Sequence, residues 1–230
     1  MTTFADGEKS LVGYVRQLTS TDLGPLESLL RSDPVSNCFL DARVRGAGLD
    51  PWRLGGDIWG YLDDDTLHSV VYVGANLVPV GTTPASRAAL ADRLRMSPRR
   101  CSSFVGDLEE VLDLWRLLEP AWGPAREVRD DQRLLVMDTD ANIPHDPHVR
   151  MATLADMDVL LPACVDMFSE EVGISPVRGG GGSAYRDRVA EIVRAGRSFV
   201  RIVDGRIEFK AEIGAATPDA CQVQGVWVAP

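Results

Sequence analysis

Three features of this chain carry residue types that could do chemistry. His145-Asp-Pro-His148 sets two imidazoles and a carboxylate close together, a donor set that suits a divalent metal. The stretch is rich in proline, no third or fourth ligand lies nearby, and His68 is far away in sequence. A solvated linker is therefore expected, and no metal cofactor. Arg178-Gly-Gly-Gly-Gly-Ser183 could wrap a phosphate, because glycine lets an anion approach the backbone. No Gly-Lys-Ser/Thr follows it, so it reads as a flexible gate or plain loop, with Ser183 capping the next helix. The cysteines Cys38, Cys101, Cys164 and Cys221 are widely spaced, with no Cys-x-x-Cys pair, and read as reduced core thiols. Neither Gly-x-Ser-x-Gly nor His-Glu-x-x-His occurs, so hydrolase chemistry has no anchor.

Composition narrows the partners. A formal net charge of −10 argues against nucleic acid and against an anionic membrane surface, since both need a basic footprint. No apolar run approaches the roughly 18 residues of a membrane span, and the N-terminus lacks the basic region and apolar core of a secretory signal. A cytoplasmic protein is expected. Lys9 and Lys210 are the only lysines. The arginine excess reads as codon bias, not as phosphate recognition.

The elements that must position any site are organised as a repeat. Arg16-x-x-Thr19-x-x-Asp22 recurs as Arg150-x-x-Thr153-x-x-Asp156. Each copy reads as a short strand, then Thr and Asp as helix N-cap residues, then an apolar-periodic helix. After the first copy the pattern predicts a helix over 35–45, a hairpin of 58–62 and 67–73 around Asp63-Asp-Asp65, and a strand over 75–80. A helix over 85–95 follows, then a strand over 101–105. A helical stripe from Leu108 is stopped at Pro120, and a closing strand is expected over 132–137. After the second copy it predicts a helix from Ser183, a hairpin of 198–203 and 206–213 around Asp204-Gly205, and a last strand over 221–228. The domains are expected at 1–138 and 148–230, joined by a linker over 139–147.

The order strand, two helices, three strands, helix, strand, helix, strands resembles the GCN5-related N-acetyltransferase (GNAT) superfamily. The stretches Tyr185-Arg-Asp-Arg-Val, Gly196-Arg-Ser-Phe, Asp204 to Gly214 and Gln222-Val-Gln-Gly-Val-Trp-Val-Ala-Pro230 resemble a bacterial group in which an extra N-terminal domain precedes the acetyltransferase domain. The resemblance implies an α/β (α+β) fold: tandem GNAT-like domains with mixed, mostly antiparallel sheets flanked by helices. The first copy is expected to keep the fold but not the cofactor, and the second to be incomplete.

What the resemblance implies for function is transfer of an acetyl group from acetyl-CoA, as co-substrate, to a small-molecule or peptide amine. Val226, Trp227 and Val228 are the positions expected to pair with the pantetheine arm of acetyl-CoA, with Gly225 suited to a bulge. Gln222 stands where several members carry a glutamate base, so Glu212 and Glu171 become the candidate catalytic carboxylates. Arg178 and Tyr185 fall on the side of the acceptor substrate. The cofactor's pyrophosphate loop would begin after Pro230, so this chain is expected to bind acetyl-CoA weakly and to expose its last strand. A homodimer is allowed. The competing readings are a non-catalytic ligand-sensing or dimerisation protein and an inactive truncated fragment.

Overall fold

The computed structural model describes residues 13–230; the N-terminal signal reading and Lys9 lie outside the described residues. The chain forms two compact units, one ending at Leu135 and one running from Val136 to Pro230. Both are mixed α/β, with largely antiparallel sheets flanked by helices.

The first unit runs β1 (Tyr14–Gln17), α1 (Leu23–Leu30), α2 (Cys38–Ala47), a single turn α3 (Pro51–Leu54), β2 (Asp57–Asp63), β3 (Thr66–Val73) and β4 (Asn76–Val80). It continues with α4 (Pro84–Arg95), β5 (Ser103–Phe104) and α5 (Leu108–Trp122). The sheet order is β1-β2-β3-β4-β5, antiparallel except for the β4–β5 pair. Residues 70–73 of β3, Val-Val-Tyr-Val, are apolar at every position because both faces are covered. Val70 and Tyr72 pack with Leu26, Leu30, Leu40 and Val44 from α1 and α2. Val71 and Val73 pack with Leu90, Leu94, Leu114 and Leu118 from α4 and α5. A strand buried on both sides loses the polar alternation of a half-buried one.

The second unit runs β6 (Arg150–Met151), α6 (Met157–Val172), α7 (Gly182–Arg194), β7 (Ser198–Val203), β8 (Arg206–Ala216) and β9 (Cys221–Val228). Its sheet, β6-β7-β8-β9, is antiparallel throughout. Leu160, Ala163 and Cys164 of α6 and Val189 and Val193 of α7 cover Val200 and Ile207 on one face. The β7–β8 turn takes left-handed φ at Asp204 (49°) and Gly205 (74°), the type I′ geometry that an Asp-Gly pair adopts most readily.

The repeated motif folds the same way twice. Arg16 grips Asp22 with two guanidinium hydrogens, at 2.8 and 2.7 Å, and donates to the carbonyl of Gln17. Arg150 grips Asp156 at 2.8 and 2.8 Å and donates to the carbonyl of Met151. In each copy the aspartate also accepts the backbone N–H of the threonine three residues before it, at 2.8 Å. The clasp fixes the strand-to-helix turn at the start of each unit.

Arg16 beside it holds the Asp22 carboxyl down at about 2, against an ordinary value of 3.8, and Arg150 holds Asp156 low as well. A depressed carboxyl stabilises the fold above its unfolded value, and that stabilisation is lost as pH falls through the folded value. We expect the melting temperature to drop between about pH 4 and pH 2. For Asp22, with the half-open Arg16 discounted for solvent screening, the loss is about 1–2 kcal/mol. Asp22→Asn should flatten that part of the curve; an unchanged slope in calorimetry across this range would contradict the clasp.

Four sequence expectations are corrected. Pro120 does not stop α5, which runs on to Trp122 and ends at Gly123 with φ 82°. So close to the helix end the proline removes one N–H donor, and Trp122 is held edge-on against Phe104 at 6.0 Å. Residues 132–137 form no strand: they find no strand partner among the described residues, and Leu134, Leu135, Val136 and Met137 are exposed. The strand over 101–105 shrinks to Ser103–Phe104. Cys221 is exposed on β9, whereas Cys38, Cys101 and Cys164 are buried.

Candidate active site

The second unit holds a buried charge. Lys210 and Glu212 are two apart on β8, so both side chains face α6. Lys210 is fully buried and Glu212 is 8% exposed. The Lys210 ammonium lies 2.9 Å from Glu212 Oε1, donates to the Gly225 carbonyl at 3.0 Å, and touches Met167 Sδ at 3.3 Å. Its three hydrogens are thereby directed, as a buried ammonium requires. Ser198, opposite Glu212 on β7, has a buried hydroxyl with no partner.

Cys164 sits in the same layer, its Sγ 3.8 Å from Glu212 Oε1. Burial pushes its thiol up to about 12, with Lys210 pulling down and Glu212 pushing up. Such a thiol stays protonated and is no nucleophile. Tyr185 donates its hydroxyl to the Cys164 carbonyl at 2.9 Å and packs edge-on against Phe168 at 5.8 Å. Burial raises its phenol above the ordinary tyrosine value. This tyrosine braces α7 against α6.

Strand β9 is bulged above this cluster. Lys210 faces Trp227 and Glu212 faces Gln224, so the single residue Ala211 spans Gly225 and Val226. Gly225 takes φ +57°, a conformation that glycine adopts without strain. A Cβ there would lie 3.2 Å from Lys210 Nζ and 3.4 Å from Met167 Sδ. Among the described residues β9 is the edge strand, paired with β8 alone, and Val223, Val226 and Val228 are exposed along it. Trp227 turns inward, packs against the core, and donates its indole N–H to Glu170 at 3.1 Å.

The residues singled out from sequence divide accordingly. Glu212 and Trp227 meet in one cluster, with Tyr185 just behind it. Val226 and Val228 line the open edge. Glu171 is exposed near the end of α6, which terminates at Gly173 with φ 74°. It lies four residues beyond Met167, and so on the same helix face, one turn past the residue that touches the bulge. Arg178 is exposed in a single 3-10 turn, Arg178–Gly180, outside the cluster. Lys210 was missed, although a lysine rare in this chain and two residues from a glutamate in a strand was a usable signal. His145, Asp146 and His148 are exposed, and no group of three metal-ligating residues occurs among the described residues.

In the first unit, the loop between β4 and α4 is filled from within. The Thr82 N–H donates to Glu110 Oε1 at 3.0 Å, and the Thr83 N–H donates to Ser86 Oγ at 2.9 Å. Arg87, 2% exposed, donates to the Thr82 carbonyl at 3.0 Å and is paired with Asp113 at 2.7 Å and Glu109 at 2.9 Å. The loop amides that an anion would need are thus spent on side chains of the chain itself. Sequence reading missed both Arg87 and Glu110.

Comparison with known families matches residues 56–160 to a domain of unknown function, DUF4081, a span from the start of the β2 hairpin into α6. Comparison with curated proteins gives no match. Among solved structures, the chain is similar to an acetyltransferase of the GNAT family from Colwellia psychrerythraea. The identity is 11%, the TM-score is 0.42, and the alignment covers 94% of this chain and 77% of that one.

Proposed function

We propose that the second unit is the acyl-transfer half of an N-acetyltransferase that moves an acetyl group from acetyl-CoA to a small-molecule or peptide amine. The observation that carries this reading is the glycine bulge on an edge strand, with its backbone open on the free side. An extended pantetheine arm pairs with such an edge as an added strand would. Val226 and Val228 give it an apolar flank. The repeated clasp and the shared order of strands and helices support the same reading.

An amine must lose a proton as it attacks the thioester carbon, and the leaving thiolate must take one up. Glu212 and Glu171 are the two candidate bases. The burial of Glu212 and its pairing with Lys210 favour a counter-ion role for it. Glu171, exposed on the face of α6 that reaches the bulge, suits the role of base. Arg178 and the glycine loop then form the rim on which the acceptor rests. For the first unit a second reading is favoured by the Thr82–Glu110 contact: a scaffold that has kept the strand-loop-helix turn while filling its anion position with its own carboxylate.

The test is amide NMR of the chain titrated with acetyl-CoA into the millimolar range. Shifts concentrated on residues 223–228 are expected, with the amides of residues 81–87 unmoved. No change along β9 would overturn the reading. Changes confined to 81–87 would transfer the ligand site to the first unit.

A further inference from the structure

A fully buried lysine is an expensive choice where a leucine would pack as well, and Lys210 spends one of its three hydrogens on a single backbone carbonyl in the bulge. We infer that Lys210 is a positioning residue whose ammonium holds the Gly225–Val226 peptide in the one orientation that turns the Val226 N–H away from the core. The inference rests on the acetyl-transfer reading for its kinetic consequence only.

The geometry runs through the planarity of the peptide. The Gly225 carbonyl and the Val226 N–H belong to one planar group and point in opposite directions. Lys210 Nζ draws the carbonyl inward at 3.0 Å, so the N–H is directed outward. Neither Gly225 nor Val226 has a register partner on β8, so the ladder does not fix this peptide. Glu212 at 2.9 Å neutralises the ammonium, and Met167 at 3.3 Å closes its third side. The absence of a side chain at Gly225 is part of the device, since a Cβ would crowd Nζ at 3.2 Å and would be strained at φ +57°. An outward amide fixed beside an extended thioester is a ready donor to the acyl oxygen, which gains negative charge as the amine attacks.

Two variants test this in the full chain. Lys210→Met combined with Glu212→Gln removes both charges and keeps the volume. Gly225→Ala leaves the pair intact and pushes the peptide off its place. We expect either change to lower the 15N order parameter of the Val226 amide from a rigid value of about 0.85 to below about 0.6, with Val200 unaffected, while Lys210→Arg keeps most of the rigidity. Turnover of acetyl-CoA should fall by about tenfold or more in both variants, with KM for acetyl-CoA within about twofold. A folded double variant with wild-type backbone order at Val226 would overturn the inference. Should the double variant fail to fold, Gly225→Ala decides alone, and unchanged order there overturns it too. If wild-type protein shows no contact with acetyl-CoA while the order at Val226 responds as expected, the functional reading fails and the positioning role stands.

Discussion

Lys210→Met is expected to lower the stability of the second unit by about 3–5 kcal/mol in urea denaturation. The ammonium is fully buried and the Glu212 carboxylate is 8% exposed. Removing one partner leaves the other as an unpaired charge in an apolar layer between α6 and the sheet, and desolvation then dominates. Removing both costs far less, because no unpaired charge is then left buried. Lys210→Met with Glu212→Gln should therefore recover most of the loss, and the double-mutant cycle should show strong coupling between the sites. Additive single effects would mean that the two groups do not depend on each other.

Glu171→Gln is expected to cut turnover by about a hundredfold, with the fold intact and KM for acetyl-CoA nearly unchanged, as for removal of a base that works only in the transition state. Glu212→Gln should behave in the opposite way, lowering stability by leaving Lys210 without its counter-charge. Assays of CoA release with a panel of primary amines, run beside thermal melts of the same variants, separate the two. Wild-type turnover in a well-folded Glu171→Gln protein would remove Glu171 from the mechanism. A hundredfold loss in a Glu212→Gln protein of wild-type stability would restore Glu212 as the base.

Which features could be read from sequence follows from how local their causes are. The Arg-x-x-Thr-x-x-Asp motif closes its hydrogen bonds within seven residues, so its recurrence predicted a recurring turn. Asp204-Gly205 needed only its own φ preferences, and Gly225 was legible as a bulge residue because few other reasons place glycine inside a strand. What was missed depends on partners distant in sequence. Glu212 reads as a candidate catalytic carboxylate, and its burial beside Lys210 shows only once β8 lies under α6. Arg87 went unnoticed, because its partners Asp113 and Glu109 come from the next helix. Residues 132–137 have the apolar content of a strand, but a strand also needs a neighbour, and composition cannot supply one. Pro120 was over-read, since its cost depends on how many turns of helix remain beyond it.

The inward turn of Trp227 has a practical consequence. It is the only one of the chain's five tryptophans within residues 136–230, and its indole N–H is tied to Glu170 while its flanking valines face outward. Protein grown on 5-fluorotryptophan would carry one fluorine on β9 and four at or before Trp122. A single resonance would then respond to anything that seats along the strand edge, so unlabelled cofactors and amines could be screened directly, without an assay for the product.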